Sequence, residues 1–382
     1  MIYYGRQSID EEDIQNVVKV LRSDFLTQGP MVEQFEKCVA DYCGAKYAVA
    51  VANGTAALHV ACLAAGLEAG DMLWTSPVTF VASANCARYC GADVDFVDID
   101  ARTYNMSVET LEDKLCSAKH LPKIVVPVHL AGQSCDMKRI YELAQEYGFM
   151  VMEDACHAMG ADYLGKRVGC CEFSDMTVFS FHPVKIVTAG EGGMILTNNE
   201  EFYRRLLLFR SHGITRDEGL MTHETDGPWY YQQIELGFNY RITDIQAALG
   251  YSQMQKVDEF VKRRRYLAER YNRLLQDLPV ATPYVADYTD PSWHIYVVRI
   301  DFNRVNKSKQ EIFDIMKSKG VVLNLHYIPV HLQPYYQRLG FAEGDFPNSE
   351  SYYGDALTLP LYYDFTDDYQ DWVVESLREA LR

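Results

Sequence analysis

Between residues 47 and about 212 the chain alternates short apolar runs with amphipathic stretches, and that alternation restricts it to few folds. The runs are Tyr47–Val51, Met72–Thr75, Val94–Ile99, Ile124–His129, Phe149–Glu153, Thr177–Ser180 and Met194–Thr197. Each has strand length, and most of the stretches between them can hold a helical crossover. The pattern therefore predicts seven strands in a mostly parallel sheet covered by helices, an α/β fold.

On either side of this block the texture is helical. Ser8 followed by Glu11 reads as a capping box, and Ile14, Val17, Val18 and Leu21 recur at helical spacing, which predicts a helix near 9–22. Near Thr243 a long charged helical stretch begins, Asp244 to Leu275, with Ile245, Leu249, Val257, Phe260, Leu267, Tyr271 and Leu274 as its apolar positions. A strand at 295–300, a helix at 307–317, a strand at 321–325 and a terminal helix after Thr366 follow. At 382 residues the chain exceeds one ordinary core. The expected division is a large domain over 1–250 and a smaller α+β domain over 251–382.

With 53 acidic against 36 basic residues the formal net charge is −17. That balance argues against a nucleic-acid footprint or an anionic membrane surface, so an anionic ligand must be captured by a local pocket. The ten cysteines form no CxxC and no Cys/His cluster at zinc spacing, which fits reduced thiols and no metal site. The N-terminus lacks a charged region followed by an apolar one, and no apolar run reaches membrane-spanning length. A soluble cytoplasmic protein is expected.

The chemistry concentrates at the predicted strand ends. Asn53-Gly54-Thr55-Ala56 joins the first strand to an Ala-rich helix, so it is either a plain turn capped by Thr55 or an anion site built from the N–H groups of Thr55 and Ala56. Phe80, after the second strand, is either core or a platform for a flat ring. Asp154 closes the fifth strand, as a cap or as the partner of a cationic ring nitrogen, and His157 behind it is either paired within the fold or bonded to a ligand oxygen. Lys185 lies five residues after Ser180 among Phe179, Phe181, Pro183, Val184, Ile186 and Val187, with Gly190-Glu191-Gly192-Gly193 following. Burial there lowers an amine's pKa and makes it nucleophilic. A lysine for a Schiff base, an aspartate for a pyridine nitrogen, and hydroxyls with small residues for a phosphate, in this order, are what a pyridoxal phosphate (PLP) enzyme requires. A dinucleotide oxidoreductase is disfavoured, because no G-x-G-x-x-G follows the first strand. A non-catalytic PLP-binding regulator of the same fold stays open.

With these residues in place the chain resembles the DegT/DnrJ/EryC1/StrS family of PLP-dependent nucleotide-sugar aminotransferases. The resemblance spans essentially the whole chain through TQGP at 27–30, NGTAAL at 53–58, TFVAS at 79–83, EDACHA at 153–158, SFHPVK at 180–185, GEGG at 190–193, RSHG at 210–213, GFNYR at 237–241 and IQAALG at 245–250. It implies the fold type I aminotransferase architecture. It also implies Lys185 as the Schiff-base lysine, Asp154 at the pyridine nitrogen, His157 at the phenolic oxygen, Phe80 as the ring stack, and Thr55, Ala56 and Ser180 at the phosphate.

By the same resemblance Asn239 reaches the phosphate of a second subunit, which implies a homodimer with shared sites. Tyr4 and the loop Phe25, Leu26, Thr27 and Gln28 touch the nucleotide sugar, while Asn324, Leu325, His326, Tyr327 and His331 close over it. Retention of Lys185, where sister dehydratases carry histidine, implies transamination. The stretches GPWYY, FNYRITDIQAALGYSQ and NLHYIPVHLQPYY are most similar to the subfamily that forms UDP-4-amino-4,6-dideoxy-N-acetyl-β-L-altrosamine in pseudaminic acid biosynthesis. The implied donor is L-glutamate and the implied acceptor a UDP-linked 4-keto-6-deoxy-N-acetylhexosamine.

Overall fold

In the computed structural model, which describes all 382 residues, the seven apolar runs form one sheet. Its strands are β1 Tyr47–Val51, β2 Met72–Thr75, β3 Asp93–Phe96, β4 Ile124–Val126, β5 Met150–Asp154, β6 Met176–Ser180 and β7 Gly193–Thr197. Their order across the sheet is β1-β7-β6-β5-β4-β2-β3. All pairs from β6 to β3 are parallel, and β7 runs antiparallel to both its neighbours. The C-terminal ends of β1, β6, β5, β4 and β2 therefore share one edge, where a parallel sheet presents its ligand crevice.

Side chains alternate between two core layers, as the strand period requires. Val125, Val151 and Phe179 face one cluster, while Ile124, Val126, Met152 and Val178 face the other. Helices α3 Gly54–Ala64, α4 Ala82–Tyr89, α5 Val108–Ser117, α6 Met137–Tyr147 and α7 Glu200–Arg210 cover the faces.

At the N-terminus, helix α1 spans Glu11–Leu21, and its capping box is Asp10 with Asp13 in place of the expected Ser8 with Glu11. The Ser8 hydroxyl donates instead to Asp364. Helix α2, Pro30–Cys43, went unpredicted although its signals were present: proline at the first position, Gly44 at φ 80° beyond the end, and Phe35, Val39, Ala40 and Cys43 buried on one face.

The expected helix from Asp244 to Leu275 is two helices, α8 Asp244–Met254 and α9 Val257–Leu274. At the break Lys256 leaves helical geometry, and its ammonium reaches Asp10 at 2.7 Å and Asp13 at 2.8 Å. This lets α8 pack on α1 and α2 while α9 runs into a further cluster through Leu267, Ala268 and Tyr271. That cluster covers an antiparallel sheet of Val280–Ala281, β8 Tyr296–Ile300 and β9 Ala356–Leu359, flanked by α10 Lys309–Ser318 and the terminal helix Asp367–Ala380. The strand expected at 321–325 makes only isolated bridges, Val321 with Ile2 and Asn324 with Thr358.

Gly250 in α8 sits against the Phe35 ring, where a Cβ would lie 2.6 Å from the nearest ring carbon. Gly250→Ala should destabilise the protein by about 1–3 kcal/mol through overpacking, against the helix preference for alanine. Gly354→Ala, in the helix Pro347–Asp355 where a Cβ meets nothing within 4 Å, should leave Tm unchanged or raise it. Thermal unfolding of both variants checks the contrast in sign.

Candidate active site

Where β1, β6 and β5 end, the chain encloses a cavity of about 800 Å³. It brings together Lys185, Asp154, His157, Phe80, Thr55 and Ala56, with Ser180 beside them. From the C-terminal part Asn324, Leu325, His326 and Tyr327 line it, and Tyr4 joins them from the N-terminus. Phe25, Leu26, Thr27, Gln28, Asn239 and His331 lie outside this wall. Asn239 and the 25–28 loop are solvent-exposed, whereas His331 is buried and bonded to Glu350 at 2.9 Å.

The anion cradle forms because β1 turns directly into α3. Asn53, not Thr55, is the cap: its side chain accepts the Ala56 N–H at 2.8 Å, and its carbonyl accepts that of Ala57 at 3.0 Å. The N–H groups of Gly54 and Thr55 keep no protein partner. A Cβ at Gly54 would stand 3.0 Å from Ser180 Cβ and 3.2 Å from its Oγ, so glycine is what lets the helix start approach Ser180. Free N–H groups at a helix N-terminus beside a hydroxyl suit a phosphate.

Asp154 is held from two sides. Ser83 Oγ donates to Oδ2 at 2.6 Å and the Cys156 N–H donates to Oδ1 at 3.1 Å. Ser83 is itself 2.8 Å from Thr79 Oγ1. Sequence reasoning assigned no role to Ser83, although a hydroxyl pair four residues apart at the start of α4 was readable. The preceding residue, Glu153, points the other way and is buried, with His129 Nε2 at 2.7 Å from Oε2 and the Ser174 and Thr177 hydroxyls donating to Oε1 at 2.5 and 2.8 Å. Burial pushes its carboxyl up, but these three partners outweigh it and keep the pKa below the ordinary value.

Lys185 follows Ser180 on a loop folded back by the Ala189 N–H to Phe181 O bond. Burial draws its ammonium pKa down, opposed by Cys156 and Asp154. Phe80 is 56% exposed, which removes the buried-core alternative, and its ring centroid is 6.2 Å from that of Tyr327. His157 is paired within the fold and also faces the cavity, with Nε2 3.0 Å from Tyr327 OH and Nδ1 accepting the Ala131 N–H at 3.3 Å.

Four more histidines line the wall, His59, His182, His294 and His326. His294, absent from the expected set, has its ring centroid 4.3 Å from that of His157, and its buried Nδ1 has no partner. Burial holds His157 and His294 well below the usual range and His326 at about 3, so all three are uncharged at neutral pH. The residues fit PLP: a cradle for its phosphate, a carboxylate for its ring nitrogen, and an amine of lowered pKa for its aldehyde.

Comparison with known proteins gives the same answer. The DegT/DnrJ/EryC1/StrS aminotransferase family model matches residues 7–378, and the chain belongs to that family. It is 39% identical to the spore coat polysaccharide biosynthesis protein SpsC of Bacillus subtilis, over 99% of this chain and 97% of the relative. It is 34% identical to a UDP-4-amino-4,6-dideoxy-N-acetyl-beta-L-altrosamine transaminase of Campylobacter jejuni, over 95% and 93%. The solved PLP form of the putative sugar aminotransferase Spr1654 from Streptococcus pneumoniae superposes with a TM-score of 0.89 at 26% identity, covering 99% of this chain and 97% of that one. The chain is thus a PLP-dependent sugar aminotransferase of fold type I.

Asp154→Asn preserves shape while removing the charge. The variant should still retain PLP but reduce it with L-glutamate about 100- to 1,000-fold more slowly, the cost of losing a key electrostatic group. Stopped-flow absorbance of the half-reaction measures this, and near-normal turnover would refute the role.

Proposed function

We propose that this enzyme moves the amino group of L-glutamate to C4 of a UDP-linked 4-keto-6-deoxy-N-acetylhexosamine, the amination step of a pseudaminic acid pathway. The observation that carries the aminotransferase part is Lys185, of lowered pKa, in one cavity with Asp154 and the α3 cradle. The sugar assignment draws on the resemblance of 227–231, 238–253 and 324–336 and on the altrosamine transaminase relative.

Bound there, PLP supplies a ring that accepts the electron pair left on the donor carbon. The Thr55 N–H with Ser180 would hold the phosphate as expected, the Gly54 N–H standing in for that of Ala56, which Asn53 already accepts at 2.8 Å, while Asp154 would keep the ring nitrogen protonated and Phe80 cover one face. Lys185 would take the proton from the donor Cα. On the second substrate it returns a proton to C4 of the sugar. Asn324 to Tyr327, the uncharged histidines and Tyr4 supply hydrogen bonds without adding charge near the Lys185 amine.

Each site is shared between two copies in this reading, with Asn239 completing the partner's cradle. Phe25, Leu26, Trp229, Tyr231 and Leu236 are large apolar side chains left in solvent, and the Thr27–Thr243 bridge ties the 25–28 loop close to Asn239 in the chain. No helix is long and apolar enough to cross a membrane, and ten free cysteines suit a reducing cytoplasm.

Four measurements test these statements. Borohydride reduction and peptide mapping should place the pyridoxyl label on Lys185, and label on another lysine would contradict the assignment. Offered UDP-, dTDP- and GDP-linked 4-ketosugars, the glutamate-loaded enzyme should aminate the UDP-N-acetyl sugar best, and preference for another nucleotide reassigns the substrate. Asn239→Ala should weaken PLP retention by about 1–3 kcal/mol, the worth of a hydrogen bond to a charged group. Mixing Lys185→Ala with Asn239→Ala chains should then restore activity above either parent. Subunit exchange without recovery would mean that each phosphate is held within one chain.

A further inference from the structure

The helix that opens with the phosphate cradle and the helix whose Ser83 holds Asp154 each carry a stripe of the same kind. On α3 Thr55 is followed by His59 and Cys62, four and seven residues on, and on α4 Ser83 is followed by Cys86 and Cys90, three and seven residues on. Each set therefore shares one helix face. The two helices pack together, and the Cys62 thiol meets both Cys86 and Cys90. Cys62 and Cys86 are buried, while Cys90, just past the end of α4, is partly open to solvent. These side chains do not converge on one point as metal ligands would.

Burial pushes the thiols of Cys43, Cys62, Cys156 and Cys171 up, which keeps them protonated and inert. Cys90 goes the other way, drawn below the ordinary thiol value by Cys62 first and by His59 as well, against the opposing pull of burial. Cys62 keeps its proton, so it donates, and a Cys90 thiolate is the acceptor it favours. His59 Nδ1 is 3.4 Å from Tyr240 OH, but its Nε2 is buried with no hydrogen-bond partner, which leaves that nitrogen for the thiol beside it. Cys86 is a poor partner for Cys90. Its Sγ donates to the Ser83 carbonyl at 3.2 Å, and on one helix the two Cβ atoms tilt the same way and cannot close a bridge. Cys62, on the facing helix, can.

We propose that Cys90 is a peroxide-reactive thiol that closes a disulfide with Cys62, tying the helix of the phosphate cradle to the helix that holds Asp154. The Cys90 thiolate attacks one peroxide oxygen, the O–O bond breaks, and the departing hydroxide takes up the thiol's proton as water, leaving a sulfenic acid. The Cys62 sulfur then attacks the Cys90 sulfur. The S–S bond forms, the S–O bond breaks, and the leaving hydroxide carries off the Cys62 proton as a second water. Two thiols thus give two electrons to one peroxide. A disulfide holds its sulfurs at about 2.05 Å, well inside any thiol contact, so α3 and α4 must shift, and the stripes carry that shift to Gly54–Ala56 and to Ser83. The proposal holds whichever sugar is aminated.

The test treats the PLP-loaded full-length protein with a few equivalents of hydrogen peroxide, alkylates the remaining thiols and maps the peptides. The expected product is a Cys62–Cys90 cross-linked peptide with the loss of two titratable thiols, formed while the exposed Cys116 is still alkylated as a free thiol. Cys90→Ser should lose no thiol under the same treatment, and Cys62→Ala should stop at a Cys90 sulfenic acid that dimedone traps. Oxidation of Cys116 ahead of Cys90, or a Cys90 left reduced, overturns the proposal. The oxidised parent should shed PLP on gel filtration and hold it again after dithiothreitol and fresh cofactor. Cys90→Ser, altered outside the cavity wall, should keep PLP and its glutamate half-reaction with or without peroxide. An oxidised parent that retains PLP as the reduced protein does would mean that the disulfide does not reach the cradle, and the proposed tie would be wrong.

Discussion

The buried pair of Glu153 and His129 fixes the frame on which the site hangs. Glu153 and Asp154 are consecutive in β5 and point to opposite sides, so whatever locks one sets the direction of the other. His129 donates to Glu153, and its Nδ1 accepts the Cys135 N–H at 3.2 Å, which closes the turn from 129 to 135 against the sheet. That turn presents the Ala131 N–H to His157, and the Ala131 and Gly132 carbonyls accept the N–H groups of His294 and Ser292. A buried carboxylate stripped of its partner typically costs 3–5 kcal/mol, so the arrangement is strongly specified.

Around that frame the cavity uses charge sparingly. Among its lining residues Lys185 is the one lysine, no arginine appears, and three of the five histidines, His157, His294 and His326, are held neutral by burial. Placing like charges beside the buried Lys185 amine would cost far more in this desolvated space than in water. Hydrogen-bond donors without net charge, from Tyr327 and from the start of α3, avoid that cost.

Much of the fold was legible because strands buried on both faces must be apolar throughout, and the seven runs are. The elements that escaped were those whose signals are punctuation or partnership. Helix α2 was marked by Pro30 and Gly44 at its ends, and the strand Ala356–Leu359 becomes one by pairing with Tyr296–Ile300. The break at Lys256 depends on Asp10 and Asp13, some 240 residues away in sequence. Within the site, Lys185, Asp154 and the 53–56 turn were readable because their chemistry is local to strand ends. Ser83 and His294 were not, since each acquires its role only through a neighbour from another segment. Asn239 and Phe25 to Gln28 lie outside the cavity wall of their own chain, so nothing in the fold of one chain brings them to the site.

The sequence by itself determined the sheet, the chemistry at its edge and the family, because apolar period, a lysine in an apolar loop and a carboxylate at a strand end are properties of short segments. Only the tertiary structure decided that Asn53 rather than Thr55 caps the cradle, that Ser83 holds Asp154, and that His157 meets Ala131 and Tyr327. Hydrogen bonds are directional and short, so which donor meets which acceptor is settled by the packing of distant segments to within a fraction of an ångström. No local pattern carries that information.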